Sequence, residues 1–342
     1  MRADGGFSSA AQVRTFENVD AAKFKRDVES VYEPAILKQF VADWPAVAAG
    51  QSSSEAVASY LSERDNGVPV RAFLGNDQIK GRYFYQPDVE SFNFSVAETK
   101  LSSLLNALRN PAEAGRAIYM GSTPTSRMLP TFDRENPQRI ATDRGGEARI
   151  WIGNSSRVAP HYDEADNIAC VVSGRRRFIL FPPEQVKNLY VGPLDRTVAG
   201  QPISMVDLET PDFERFPKFR EALKHAIVAD LGPGDAIYIP ALWWHAVQAT
   251  GDLNVLVNYW WSDAPPDAGS PMHALGHGIL TISHLSEEKR KAWRVLFDHY
   301  VFRLNGDPGE HIPPAARGLV GRSTPELRRM IKQFLIRALS SL

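Results

Sequence analysis

Pro160-His161-Tyr162-Asp163-Glu164-Ala165-Asp166-Asn167 leads into Ile168-Ala169-Cys170-Val171-Val172, then a Ser173-Gly174 break, Arg175-Arg176-Arg177-Phe178-Ile179-Leu180-Phe181, and a Pro182-Pro183 stop. Two short runs rich in branched and aromatic residues, each closed by turn residues, read as β-strands at 167–172 and 176–181. His161 and Asp163 stand two apart, and on a strand side chains two apart leave the same face. A third imidazole follows far downstream in Trp243-Trp244-His245. It joins the first two only in a fold that lays two distant strands side by side. Two imidazoles and a carboxylate on one face of an octahedral ion leave three positions open, the facial triad of non-haem Fe(II).

The same texture extends outward from this stretch. Short β-like runs at 117–120, 148–152, 236–239 and 255–260 are punctuated by turns such as Gly232-Pro233-Gly234-Asp235. Many short strands so spaced predict a mainly β protein with flanking helices, built on a double-sheet jelly roll. The polar excursion over 185–224 reads as a functional loop region. Upstream, the first dozen residues read as a loose arm. Helices are expected over 18–31, with Asp20 as N-cap, over 54–64 and over 96–108. Strands are expected at 35–40 and 68–73, and aromatic extended segments at 82–85 and 92–94. Downstream, amphipathic helices are expected over 286–304 and from Thr324-Pro325-Glu326 onward. Their apolar faces either pack on the barrel or form a homodimer interface. The implied layout is an N-terminal α/β segment at 1–115 packed on the barrel, the core at 116–265, and a C-terminal helical segment at 266–342.

Composition narrows the function classes. With 342 residues, 43% hydrophobic and 23% charged, the chain has the balance of a globular protein with a sizeable core. A formal net charge of −1 argues against a generic surface for nucleic acid or anionic membrane. The single cysteine, Cys170, excludes an internal disulfide and suits a reducing compartment. Nothing after Met1 resembles a signal peptide and no apolar run approaches a membrane span, so a cytoplasmic location is expected.

The blocks around the triad occur in a telling order: His161-x-Asp163, Arg175-Arg176-Arg177-Phe178, Gly232-Pro233-Gly234-Asp235, Trp243-Trp244-His245 and Val257-Asn258-Tyr259-Trp260-Trp261. Over about 117–261 this combination resembles the cupin-like JmjC family of Fe(II)- and 2-oxoglutarate-dependent oxygenases. The likeness is strongest to factor-inhibiting-HIF-type asparaginyl hydroxylases and their bacterial cupin-like relatives. The resemblance implies a double-stranded β-helix of the cupin/JmjC type. It implies His161, Asp163 and His245 as iron ligands, Asn167 and Asn258 as pocket-lining asparagines, and Tyr119 as a hydroxyl reaching the distal carboxylate of 2-oxoglutarate. Arg176 falls where these hydroxylases usually carry a lysine for that carboxylate; charge survives, and a guanidinium fork grips a carboxylate bidentately. A family threonine just before the triad has no clear counterpart in Ser155-Ser156-Arg157-Val158-Ala159.

The implied activity is hydroxylation coupled to 2-oxoglutarate decarboxylation, with molecular oxygen as co-reactant and an unidentified protein side chain or small molecule as substrate. Two other readings compete: a Zn or Mn cupin with isomerase-type chemistry, since divalent ions share these ligands, and a cupin-fold ligand sensor with a vestigial metal. Each residue also has a bland reading. His161 and Asp163 could be a strand-end imidazole beside a surface carboxylate, the arginine triplet a solvated cluster, and Tyr119 plain packing. His273 and His277, four apart, lack a carboxylate at ligand spacing, and Cys170 sits in an apolar run as a small hydrophobe.

Overall fold

The computed structural model describes residues 7–113 and 115–340. Its strands are β1 (Ala11–Gln12), β2 (Arg14–Glu17), β3 (Ala35–Lys38), β4 (Val70–Gly75), β5 (Ser95–Thr99), β6 (Ala117–Pro124), β7 (Glu147–Gly153), β8 (Ser156–His161), β9 (Asp166–Phe181), β10 (Ile227–Leu231), β11 (Ala236–Ile239) and β12 (Trp244–Trp261). Two of them frame the rest. The strands expected at 167–172 and 176–181 are one 16-residue strand, β9. The strand expected at 255–260 is the far half of the 18-residue β12.

Ser173-Gly174 resembles a turn because Gly174 has φ near +80°. Here it is a kink inside continuous pairing. The register of β9 with β12 shifts between Thr250 and Leu256, and a side chain at Gly174 would collide with Asn254. Irregular pairing of this kind bends a strand without ending it. Each long strand therefore serves two sheets. The first half of β9 pairs with β11 and the far half of β12; its second half pairs with β10 and the near half of β12. One sheet runs β2-β3-β11-β9-β12-β7-β6-β4-β5, and the other joins β1, β10, β9, β12 and β8. Two sheets sharing two bent strands make the expected jelly roll.

Alternation along β9 sorts its side chains. Ala169, Val171, Phe178 and Leu180 face inward with Ile237, Val247 and Leu256. Ile168, Cys170 and Val172 face outward into a core with Trp44, Leu61 and Leu104, contributed by the segment around the helices Pro45–Ser52, Ser54–Ser62 and Leu101–Arg109. Ile179 and Phe181 pack on the opposite exterior with Trp244 and Phe219.

Three local expectations need correction. Of the supposed loose arm, residues 1–6 lie outside the described residues, but Phe7 is buried against Phe181, with ring centroids 6.4 Å apart. β1 then pairs in parallel with β10. One aromatic anchor outweighs the Gly and Ser around it. The helix expected over 96–108 begins only at Leu101, because Ser95–Thr99 pairs antiparallel with β4. The helix expected over 18–31 begins at Ala21 and runs to Val31; the Asp20 carboxylate caps it, accepting the Lys23 N–H at 2.7 Å, but it passes through α, π and 3-10 turns.

The chain divides into two compact units, Met1–Ser262 and Asp263–Leu342. The second contains helices Pro271–Ile282, Glu287–Tyr300 and Pro325–Ser340, none of which buries a residue. The first of these lies in the segment expected to be helical but was given no bounds there; the last opens on Pro325 as its sequence predicts.

Candidate metal centre

The ladder between β8 and β12 sets His161 opposite His245, with ring centroids 4.2 Å apart. Asp163 lies two residues past the end of β8 rather than on it, and its backbone oxygen accepts the Leu242 N–H at 2.8 Å. Its side chain still reaches His245: Oδ2 stands 3.7 Å from His245 Nε2. Three candidate ligands from two distant segments thus meet at one end of the barrel.

Both imidazoles are oriented alike. His161 Nδ1 lies 3.0 Å from the Ala159 carbonyl, and His245 Nδ1 lies 3.0 Å from that of Trp243. A carbonyl only accepts, so each Nδ1 carries the proton and each Nε2 keeps its lone pair. Burial, with the neighbouring His161 charge, lowers the pKa of His245 to about 4, against the opposing pull of Asp163 and the Trp243 carbonyl. The ring is neutral near pH 7 and able to donate. Two imidazoles and a carboxylate form a donor set suited to a divalent ion. Among the described residues no three His, Cys, Asp or Glu groups form a ready-made ion cage; the candidates approach one another in pairs.

Asn167 on β9 and Asn258 on β12 are tied to this carboxylate. The Asn258 amide donates to Asn167 Oδ1 at 3.3 Å, and Asn167 donates to Asp163 Oδ2 at 3.4 Å. Tyr119 on β6 stacks on Trp151, centroids 5.9 Å apart. Burial pushes its hydroxyl pKa up to about 12, against the pull of the nearby Arg176 charge. Arg176 is only 4% exposed, and its Nε has no hydrogen-bond partner. Burial lowers its pKa, yet an arginine stays charged at neutral pH. Its neighbours point the other way, Arg175 into solvent and Arg177 onto Asp230 at 2.8 Å. The alternation of a strand has taken the middle arginine inside.

Two site residues escaped sequence reasoning. Trp260 entered only as part of the Val257–Trp261 block, but its indole N–H donates to Asp163 Oδ2 at 3.0 Å. Trp151, whose indole donates to Asn258 Oδ1 at 2.7 Å, was not singled out at all. The available signal was alternation on β7, where buried Ile150 and Ile152 leave Trp151 facing inward.

Comparison with known proteins identifies the family. A family profile described as "Cupin-like domain" matches residues 21–267. The chain is 28% identical over 278 residues to "Lysine-specific demethylase JMJ31" of Arabidopsis thaliana, covering 73% of this chain and 50% of that protein. It is 35% identical over 255 residues to "HSPB1-associated protein 1" of Rattus norvegicus, covering 70% and 50% respectively. With "tRNA wybutosine-synthesizing protein 5" of Danio rerio it shares 33% identity over 274 residues, covering 75% and 77%. The chain spans about half the length of the first two relatives.

Proposed function

The chain belongs to the cupin-like (JmjC-type) family, and on that premise we propose that it is an Fe(II)- and 2-oxoglutarate-dependent hydroxylase. The observation that carries the reading is Arg176. A guanidinium buried inside a barrel, with an N–H that no protein group satisfies, calls for an anion. The distal carboxylate of 2-oxoglutarate supplies one, and the Tyr119 hydroxyl stands by as a second donor. His161, Asp163 and His245 are the groups that would hold the iron. When bound, Fe(II) with 2-oxoglutarate and oxygen supplies the oxidising chemistry that yields succinate, carbon dioxide and a hydroxylated product.

The protein's own part is ligation, orientation and exclusion. The fixed Nδ1 protons keep both Nε2 atoms available. Asn167 and Asn258 give the pocket a polar seam, while Val171, Phe178, Val247 and Leu256 keep the remaining walls apolar and dry. The substrate we propose is a protein side chain or small molecule; a net charge of −1 supplies no general attraction for a polyanion.

An anaerobic titration with Fe(II) and then 2-oxoglutarate tests the reading. A visible charge-transfer band is expected, together with slow conversion of 2-oxoglutarate to succinate once oxygen is admitted. Both signals should disappear in His245→Ala. A protein that binds Zn(II) or Mn(II) but gives neither signal with Fe(II) belongs to the isomerase-type reading; one that binds 2-oxoglutarate without turnover is a sensor.

A further inference from the structure

Asp163 differs from the two histidines in how it is held. His161 and His245 are fixed by strand pairing and by a carbonyl on Nδ1. Asp163 sits beyond the last ladder pair of β8, with one backbone hydrogen bond from Leu242. Its carboxylate needs another source of orientation, and two side-chain donors converge on one oxygen. Trp260 Nε1 and Asn167 Nδ2 both donate to Oδ2.

The second donor is the end of a chain whose direction is dictated at both ends. The indole of Trp151 donates only, so the Asn258 side that meets it is the oxygen. That turns the Asn258 amide nitrogen toward Asn167 Oδ1 and leaves the Asn167 nitrogen facing a carboxylate, which only accepts. Reversing either amide would set donor against donor at Trp151 or acceptor against acceptor at Asp163. The starting indole is itself clamped. Trp151 stacks on Tyr119 and meets Trp260 edge-on, centroids 6.0 Å apart. A Cβ on Gly121 would stand 3.0 Å from its ring.

We propose that Trp151 and Trp260 are positioning residues for Asp163: Trp260 directly, and Trp151 through a one-way relay across Asn258 and Asn167, together fixing the plane of the carboxylate. This rests on the reading of Asp163 as a metal ligand. It adds that the metal's carboxylate, Asn167, Asn258 and the two indoles form one hydrogen-bonded unit, on which Tyr119 rests by stacking on Trp151. Partners of a ligand's outer atoms are worth about 10- to 100-fold in metal affinity. A phenylalanine at either position keeps an aromatic ring and removes the N–H together with the pyrrole part of the indole, a packing loss that the melting curves report.

The test measures Mn(II) and Co(II) affinity, the Co(II) d–d spectrum and thermal melting, without turnover, in wild type, Trp260→Phe, Trp151→Phe, Asn258→Ala and the double variant Trp151→Phe/Asn258→Ala. Trp260→Phe is expected to weaken binding by roughly 10- to 100-fold and to shift the Co(II) bands. Trp151→Phe should weaken it less, and add nothing once Asn258 is alanine, because its effect passes through that amide. Equal affinity and identical spectra in both Phe variants overturn the proposal. So does a Trp151→Phe loss that persists in the Asn258→Ala background. Should Trp260→Phe melt below the assay temperature, Trp151→Phe and its double variant decide alone. A wild-type protein that binds neither ion removes the metal-centre reading itself, a result distinct from binding that ignores the two indoles.

Discussion

A single arginine sets function against stability in this barrel. Arg176 has an unsatisfied Nε in the folded chain, and a buried charge without a partner costs the fold that contains it. Replacing it with methionine of similar length removes that cost. The expected gain is about 1–2 kcal/mol, or roughly 1–3 °C in melting temperature for a protein of this size. The same change should weaken 2-oxoglutarate binding by about 2–5 kcal/mol, the value of a hydrogen-bonded buried charge pair. Calorimetric melting and 2-oxoglutarate titration of Arg176→Met check both halves. A less stable variant with unchanged 2-oxoglutarate affinity would make Arg176 a structural residue. Much of this was legible beforehand. Three consecutive arginines on a strand must send the middle one away from its neighbours, and the resemblance, not the alternation, made Arg176 the one facing the cosubstrate. The roles of Trp151 and Trp260 were not legible, because an aromatic in a strand gives the same local pattern whether its ring nitrogen is satisfied by a ligand's carboxylate or by water.

Elements were read less evenly than residues. Element type survived where a local signal existed: the Asp20 cap, the Pro325 start, the alternation of β9. Connectivity did not, because nothing local distinguishes a turn glycine from a kink glycine. Whether Gly174 ends a strand or bends it depends on Asn254 eighty residues away in sequence. The short edge strands β1, β2 and β5 were missed for a related reason, since largely exposed segments owe their shape to the ladder they join. The Gly232-Pro233-Gly234-Asp235 stretch is readable as a turn, but the partners of its carboxylate come from β3 and the residue after it, far away in sequence. Asp235 is buried and accepts from Lys38 Nζ at 2.8 Å and from the backbone N–H groups of Gln39 and Gly232 at 3.1 Å each. Burial alone would raise its pKa, but the Lys38 and backbone hydrogen bonds prevail and hold it below the usual carboxylate range. A carboxylate whose folded pKa is depressed stabilises fully above its unfolded value, about 3.9. That contribution fades as pH falls through the folded value. Asp235→Asn is therefore expected to lower stability by about 2–3 kcal/mol at pH 7, with the gap unchanged down to pH about 5 and narrowing below pH about 4. Urea midpoints of both proteins across that range provide the check; a gap that widens on acidification contradicts the assignment.

At the scale of the molecule, the second unit poses a question of solvent. Its three helices bury no residue, yet they carry Trp293, Leu296, Tyr300, Met330, Phe334 and Ile336, each 44–63% exposed. Trp293, Leu296 and Tyr300 recur at helical spacing along one side of Glu287–Tyr300, and Met330 and Phe334 do so on Pro325–Ser340. Patterned apolar stripes belong against a partner, and contiguous exposed patches of this kind are rare on monomers. An 80-residue unit without a core of its own gains one by pairing with its copy. A two-fold contact is the simplest way to cover the same stripe on both chains. We propose that the protein is a homodimer through this unit. Light scattering after size exclusion should give twice the chain mass at micromolar concentration. The double variant Leu296→Glu/Phe334→Glu should run as a monomer, because two carboxylates buried at such a contact would each need a partner they lack. Circular dichroism should show its jelly roll intact, since both substitutions lie outside Met1–Ser262. A wild-type protein that elutes as a monomer across that range, or a double variant that stays dimeric, would assign these stripes to a different partner.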